Sequence, residues 1–242
     1  LQQTGIDAAE GMGLLKTVIS ASTLGETSLK VAAEDIVGVL EVFNLHSEDP
    51  LQLASNFRKA GDVLAYVAQE TKANLHDVAA GMQAATGISS QYNISLEKVA
   101  ATAAVLGKQG IVGPKSGTFI RNFVEELYQP RSDKSRKALA ELGVNAYDDK
   151  GQAKEYVSLI KELIDKLKEY KSVARDAFVA DIFGERGKKP FRGIMQDFDG
   201  FLEKIREAEA ANGLLEKQTS KLAETTQYQL QQLKADYDNL FI

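Results

Sequence analysis

The sequence contains no cysteine and no tryptophan, and only two histidines and four prolines among 242 residues. Without cysteine, the chain has no disulfide, no thiolate zinc site and no cysteine nucleophile. His46 and His76 stand apart, and neither belongs to an H-E-x-x-H pair, so a metalloprotease site is not supported. Because proline is scarce, long uninterrupted helices are permitted.

Two further absences narrow the class of protein. The net charge is −5, without a basic stripe or tail, which argues against nucleic-acid binding because such binding needs clustered Lys and Arg to displace counterions. No apolar run approaches the ~20 residues that cross a bilayer. The chain starts at Leu1, without an initiator Met or a secretion signal, so we expect it to be a fragment of a longer chain.

The residues that are present favour helices. Apolar residues make up 44% of the chain, and they are mostly Ala, Leu, Val and Ile, which favours packed helices over a β-sandwich. Ser28, Asn74 and Ser95 each open the same short pattern, [S/N]-L-x-x-[A/V]-A. A side-chain oxygen at that position satisfies free N–H groups of a first helical turn, so each residue predicts a helix start. Pro50 suits a first helical position.

The second half of the chain is punctuated by glycine and proline. Gly184–Pro190 is the strongest break, and Asn212-Gly213 is the only soft point expected after it. Before that break, the pattern predicts a glycine-rich loop at 107–117, followed by a helix up to Tyr128 that Pro130 ends. A second helix is predicted at 132–142, where Gly143 stops it. An extended stretch at 144–147, a turn at 148–151 and a strong helix at 156–167 follow.

Residues 191–242 read as one or two long helices. Leu230, Leu233, Tyr237 and Leu240 step by 3, 4 and 3 residues, which is a heptad seam and a candidate for self-association. The sequence therefore predicts an all-α fold, a multi-helix bundle with a long C-terminal helical, coiled-coil extension. We place the bundle in residues 1–184 and the extension in 185–242.

No stretch carries a recognisable catalytic or metal-binding pattern. Gly113-Pro114-Lys115-Ser116 departs from a phosphate loop because Pro114 removes an N–H and a helix, not a strand, precedes it. Asp197-Phe198-Asp199-Gly200 lacks the ligand spacing of a calcium loop. Asp148-Asp149 fits a solvated turn better than an acid–base pair. We therefore expect no catalytic residue, no metal and no cofactor.

Short motifs occur in an order that resembles the tape-measure core domain of long-tailed phages and prophages. The resemblance extends from about Leu29 to the C-terminus, with Ser116 in place of the usual Ala and Ile120 in place of Leu. The motifs are Gly107–Gly113 ("a-G-I-x-G"), Ser116–Arg121 ("A-G-T-x-L-R"), Leu127–Pro130 ("L-x-x-P"), Leu139–Val144 ("L-x-x-L-G-V"), Tyr147–Gly151 ("f-d-x-x-G") and Asp181–Gly187 ("l-F-G-x-R-G").

The residues shared with that family each have a structural reason. Glycines allow the chain to turn between helices or to end a helix without Cβ clashes, so we interpret them as keeping the fold and not as contacting a ligand. The predicted motif residues are Gly110, Gly113, Gly117, Pro130, Gly143, Gly151, Phe183, Gly184, Arg186 and Gly187.

The resemblance implies a structural virion protein and not an enzyme. Such a protein lies in the lumen of the tail, sets tail length, scaffolds polymerisation of the tail tube and leaves the tail when DNA is delivered. The implied partners are the tail-tube protein, tail-tip or initiator proteins, tail-assembly chaperones and further copies of the chain, as a trimer or hexamer. Neither a small-molecule substrate nor a specific nucleic acid is implied, and membrane contact is expected only through other parts of the parent chain.

The distance that the chain spans distinguishes two roles: a ruler, whose extended helix measures tail length, and a folded module, which does not. Fully helical, the chain would span roughly 360 Å, but its many breaks favour a bundle folded back through about Leu167, with a long helix after Pro190. We therefore expect an assembly module more than a linear ruler. Two alternatives remain: a membrane-interacting or channel-forming segment used in genome ejection, and a cell-wall-degrading tail enzyme.

Overall fold

The computed structural model describes residues 8–226 as a bundle of α-helices, which confirms the predicted all-α class. The side chains of residues 8–10, 86, 185–186 and 189–190 lie outside this description. The helices are α1 (Ala8–Gly25), α2 (Leu29–Val42), α3 (Pro50–Thr71), α4 (Leu75–Ala84), α5 (Thr86–Gln91), α6 (Leu96–Gly107), α7 (Pro114–Tyr128), α8 (Asp133–Glu141), α9 (Tyr156–Lys168), α10 (Ser172–Gln196), α11 (Phe198–Glu209) and α12 (214–226).

The predicted helix starts are confirmed at their capping residues. The side chain of Ser28 accepts a hydrogen bond from a backbone N–H of α2, Asn74 does the same for α4, and Ser95 does so for α6. Pro50 is the first residue of α3, and Asp49 before it accepts from the N–H of Leu51 at 3.0 Å. Local sequence therefore determines where these helices begin.

Helix α6 forms the centre of the bundle. All of its residues from Leu96 to Leu106 are buried except Lys98, which is partly exposed, as expected of a helix with other helices packed around most of it. Helices α3, α7, α10 and α11 contact α6 directly, while α1, α2 and α4 surround α3. One continuous apolar core results.

Helices α4 and α7 cross at a pair of glycines, Gly81 and Gly117, which we call the glycine crossing. A Cβ atom added at Gly117 would lie 2.1 Å from the carbonyl oxygen of Gly81. The prediction that Gly117 belongs to a loop was wrong, because α7 already begins at Pro114. The residue is glycine because two helix backbones meet there, whereas Gly110 and Gly113 do turn the chain, with φ values of 76° and 62°.

The end of the described chain differs from the sequence prediction. The break expected at 184–190 is a kink at Gly184 (φ 67°, ψ 172°) inside α10. Asn212-Gly213 does interrupt the helix, but Asp197 interrupts it as well, so the prediction of a single soft point was wrong.

Residues 191–215 fold back onto the bundle instead of extending from it. Phe191, Phe201 and Leu215 are at most 2% exposed and belong to the same core as the earlier helices. Their apolar side chains gain more from burial against α6 and α3 than from projecting into water. The expected long helix after Pro190 is therefore wrong for residues 191–215, while the division of the chain at 184 stays a prediction.

A short loop between α8 and α9 confirms the predicted extended stretch and turn. Tyr147 and Ala153 form an isolated antiparallel bridge, and the N–H of Gly151 donates to the carbonyl of Asp148 at 2.9 Å. Gly143 and Gly151 both have positive φ, at 67° and 75°. Glycine adopts this left-handed conformation without steric cost.

Candidate functional site: an apolar groove between α7 and α10

A concave, largely apolar groove of about 720 Å³ opens between α7 and the kink of α10. The volume lies within the range of sites that bind small molecules or the side chains of a partner. Its lining residues are Pro114, Lys115, Thr118, Phe119, Asn122, Phe123 and Glu126 of α7, Arg131 in the next loop, and Phe183, Gly184 and Gly187 of α10. We call this feature the groove.

Helix α7 presents one face to the groove and buries the opposite one. Groove-lining positions recur at spacings of three and four residues, which places them on one side of a helix. On the opposite side Ile120, Val124 and Leu127 are at most 2% exposed. The amphipathic pattern that seats α7 in the core therefore also fixes which residues face the groove.

Three phenylalanines form the floor of the groove and extend beneath it. The ring centroids of Phe123 and Phe183 are 4.9 Å apart, and those of Phe183 and Phe191 are 4.8 Å apart. The kink at Gly184 directs the chain away immediately after Phe183. A Cβ atom at Gly187 would lie 2.8 Å from the Cβ of Phe183, so glycine leaves room for that aromatic ring.

The two ends of the groove differ in charge. At one end Arg131 is held by Glu125, with Nη1 to Oε2 at 2.9 Å, and by Glu126, with Nε to Oε1 at 3.0 Å. At the other end Lys115 is exposed, and it forms no ion pair with any side chain of the described ranges. The groove therefore has one neutralised end and one positive end.

The buried ionised groups of the described chain lie away from the groove. Burial raises the pKa of Asp35, which accepts a hydrogen bond from His76, and that of Asp62, which caps α12. Burial also opposes ionisation of Glu97, but the hydrogen bond from Lys59 lowers its pKa overall. These groups join helices to one another, and none of them lines the groove.

No group of three potential ligands capable of holding a metal ion occurs among the described residues. Among the described residues of the groove lining, the carboxylate is that of Glu126, which is already engaged by Arg131. The described residues of the groove therefore provide an apolar surface with aromatic anchors and the cation of Lys115. Such a surface is suited to binding a complementary apolar segment.

Only some of the predicted motif residues lie together in the structure, and they do so at the groove. Phe183, Gly184 and Gly187 line the groove, opposite the α7 residues of the second motif. Gly110, Gly113, Pro130, Gly143 and Gly151 shape loops and helix ends, and Gly117 lies at the glycine crossing. Arg186 falls within α10, but its side chain is outside the described part, as are Leu230, Leu233, Tyr237 and Leu240.

Sequence reasoning missed two residues that organise the fold. Gly81 interrupts an otherwise good helix-forming run, and an isolated glycine inside a helix indicates close packing; that signal was available. Asp62 interrupts the apolar run Ala60–Val67, which marks it as an unusual buried acid. Its partners, the N–H groups of Gly213 and Leu215, could not be found from spacing.

Comparison with known proteins gives a consistent match. A family model described as phage-related minor tail protein matches residues 1–184. The tape measure protein of Pneumococcus phage Dp-1 is 26% identical over 62% of this chain and 12% of its own length. The probable tape measure protein of Escherichia phage P2 is 28% identical over 56% of this chain and 17% of its own length. This chain thus spans a small fraction of either relative, and no solved structure matches it.

Proposed function

The chain belongs to the phage-related minor tail protein family, and on that premise we propose that it is a folded assembly module of a tape-measure protein. The parent protein lies in the tail lumen, sets tail length, scaffolds polymerisation of the tail tube and is ejected during DNA delivery. The names of the relatives from phages Dp-1 and P2 support this role.

The observation that carries the module proposal is the way the chain folds back on itself. As one straight helix, residues 8–226 would extend about 330 Å at 1.5 Å per residue. The longest helix within these residues is instead α10, with 25 residues and a kink, and residues from α2 to α12 share one core. Adding or removing residues here changes how the bundle packs and not the distance that the chain spans. Tail length is therefore measured by other parts of the parent chain.

The groove supports contact with other tail components. Its aromatic floor and exposed Lys115 are features of a surface that receives an apolar segment with an acidic flank. We propose that tail-tip or initiator proteins, the tail-tube protein and assembly chaperones act as partners of the parent chain. Copies of the chain associate as trimers or hexamers through Leu230, Leu233, Tyr237 and Leu240.

The role we propose is structural and not enzymatic. The described residues of the groove lining include no Ser, Cys or His, so they give a cell-wall-degrading activity no support there. For the alternative of a channel-forming segment, no helix within residues 8–226 is long and apolar enough to cross a membrane.

The experiment is electron microscopy of phage tails carrying three in-frame changes in the parent gene. The first deletes residues 8–226, the second is Phe119→Asp in the groove, and the third is Lys30→Glu. Lys30 has a side chain 82% exposed on α2 and serves as the matched control. Thermal unfolding of each purified point variant establishes that it folds.

The outcomes separate a module from a ruler. We expect absent or irregular tails for the deletion and for Phe119→Asp, and normal tails for Lys30→Glu. Regular tails shortened by about 330 Å in the deletion would show that the region is itself a ruler. Normal tails in the deletion would contradict a tape-measure role for this region altogether.

A further inference from the structure

Helix α11 packs on α3 and runs antiparallel to it. The ammonium group of Lys204 pairs with Glu70 in the last turn of α3. One turn earlier in α3, the hydroxyl of Tyr66 donates to Oε2 of Glu207 at 3.0 Å. Residue numbers rise along α11 as they fall along α3. Helix α11 therefore leads the chain from the end of α3 back toward its middle.

Helix α12 also lies along α3 but runs in the opposite direction to α11. The carboxylate of Asp62 accepts from the N–H of Leu215 at 2.9 Å, and further along both helices Nε2 of Gln218 donates to Oε1 of Gln69 at 2.8 Å. Here the residue numbers of the two helices rise together. Helices α11 and α12 are therefore the two arms of a hairpin, joined by residues 210–213, which we call the hinge.

The sequence across the hinge is compatible with one continuous helix. Phe201, Ala208, Leu215 and Leu222 recur every seven residues, so they would share one face of a single helix over residues 198–226. The hinge reads Ala-Ala-Asn-Gly and contains no proline, and alanine is the strongest helix former. The apolar pattern of α11 thus continues into α12 without a change of register.

Two features of the hinge oppose that continuous helix. Gly213 has a φ of 72°, a left-handed conformation in which the chain leaves the helical path. The N–H groups of Gly213 and Leu215 donate to the carboxylate of Asp62 at 2.8 and 2.9 Å. In a continuous helix both groups would instead donate to backbone carbonyls four residues earlier. The contact with Asp62 and the continuous helix therefore exclude each other.

The apolar contacts that hold α12 against the bundle are few. Leu215 is 2% exposed, but Leu222, one step further along the same face, is 42% exposed. Residues 216–226 are all exposed or partly exposed. Because separation of α12 uncovers little apolar surface, the closed hairpin and the continuous helix differ little in buried area, and exchange between two such states has a low cost.

We propose that the hairpin of α11 and α12 opens into one continuous helix over residues 198–226, with Asp62 as the latch that keeps it closed. Opening reverses the direction of α12, so Thr226 moves by about 40 Å, twice the ~20 Å length of this helix. It also uncovers the seat of Leu215 against Gly61. The two forms deliver the chain to opposite ends of α3, and this inference does not rest on the proposed function.

Spin labels measure opening, because the chain has no cysteine of its own. Lys72→Cys and Lys221→Cys place labels at exposed positions one turn beyond the glutamine pair that joins α3 to α12. Electron paramagnetic resonance on the full chain should give a separation of about 10–15 Å in the closed form and about 30 Å in the open form. The test variant is Gly213→Ala.

Gly151→Ala is the matched control for that variant. Gly151 has a similar φ, 75°, and at both glycines no atom lies within 4 Å of an added Cβ. Alanine therefore strains the backbone equally at the two positions. Gly151 lies in the loop between α8 and α9, so its substitution does not favour a helix through the hinge.

We expect Gly213→Ala to raise the ratio of open to closed chains about thirtyfold, because alanine disfavours the left-handed hinge and favours the helix. Asn212→Ala, which favours the helix alone, should raise it about threefold, and Gly151→Ala should leave it unchanged. An unchanged ratio in both hinge variants would refute opening. A broad distance distribution with loss of helical circular dichroism would refute it as well, because α12 would then unfold instead of joining α11.

Discussion

The glycine crossing and the attachment of α12 solve the same problem, the joining of distant helices, in opposite ways. At the crossing, Gly81 and Gly117 have no side chains, so the backbones of α4 and α7 touch. At the attachment, a buried carboxylate on α3, that of Asp62, accepts from two N–H groups at the start of α12. The first contact depends on shape, and the second depends on the hydrogen bonds that one buried side chain accepts.

The two contacts also differ in how much of each helix they hold. Helix α7 is buried along a whole face from Ser116 to Tyr128, whereas residues 216–226 of α12 are all exposed or partly exposed. Apart from the apolar contacts of Leu214 and Leu215, α12 is held by hydrogen bonds and the ion pair between Lys16 and Glu216. A helix held this way can leave the bundle at much lower cost than one packed into the core.

Gly117→Ala gives the largest expected effect. In an exposed helix this change would stabilise the protein by up to about 1 kcal/mol, but here the new methyl group would lie 2.1 Å from a backbone oxygen. Because α4 or α7 must shift, we expect the free energy of unfolding to fall by about 3 kcal/mol. Urea denaturation followed by circular dichroism measures this change.

Gly87→Ala is the control for that substitution. Gly87 is an exposed helical position in α5 with no atom within 4 Å of an added Cβ, so we expect the free energy of unfolding to rise by up to about 1 kcal/mol. If Gly117→Ala proves no more destabilising than Gly87→Ala, close approach of the backbones does not hold α4 and α7 together.

Asp62→Ala should have a smaller and more local effect. The N–H groups of Gly213 and Leu215 lose their acceptor, which costs about 1–2 kcal/mol for a helix cap. Because α12 is otherwise weakly held, we expect faster hydrogen exchange in residues 210–226 and unchanged exchange in α7. Mass spectrometry after timed deuterium labelling reads both regions in one sample.

Asp49→Ala separates this long-range cap from an ordinary one. Asp49 caps its own helix, α3, from an exposed position, so its loss should speed exchange only in the first turn of α3. Faster exchange throughout the bundle in Asp62→Ala would show that α12 is an integral part of the core, contrary to the comparison above.

The sequence predicted those features of the fold that depend on interactions between residues close together in the chain. Ser28, Asn74 and Ser95 start helices through hydrogen bonds to residues two or three positions ahead, and spacing alone reveals such bonds. Gly117 and Asp62 act on partners at Gly81 and Leu215, far along the chain, so their residue types were visible but their roles were not.

The same distinction applies to the groove, where features within one helix were predictable from the sequence and contacts between distant helices were not. The motif residues on α7 and on α10 were each identified as structural from the sequence, and the kink at Gly184 matches a glycine in the predicted break. That Phe123 and Phe183 would meet at 4.9 Å required the tertiary fold. The sequence therefore identified motif residues on both helices that line the groove, but not that these two helices face each other.

The smallest expected effect is a pH dependence of the free energy of unfolding, which we expect for the attachment of α12 and not for the glycine crossing. Burial raises the pKa of Asp62 above its ordinary value, although the N–H groups of Leu215 and Gly213 and the charge of Arg58 lower it. Because the pKa in the folded state exceeds that in the unfolded state, the folded state binds this proton more tightly. The contribution of Asp62 to stability therefore falls as pH rises from the unfolded-state pKa through the folded-state pKa, and it is constant above that range.

Asp62→Asn removes this titration but keeps an oxygen acceptor at the same place. We predict that the unfolding free energy of the wild type relative to Asp62→Asn is higher near pH 4 than near pH 7, because the folded state binds the proton of Asp62 more tightly than the unfolded state does. Asp35, whose pKa burial also raises, is present in both proteins and cancels. The difference between wild type and Gly117→Ala should not vary with pH, since neither glycine titrates. A pH-independent difference for Asp62→Asn, measured by urea denaturation across this range, would mean that burial does not disfavour the ionised form of Asp62 in the folded state.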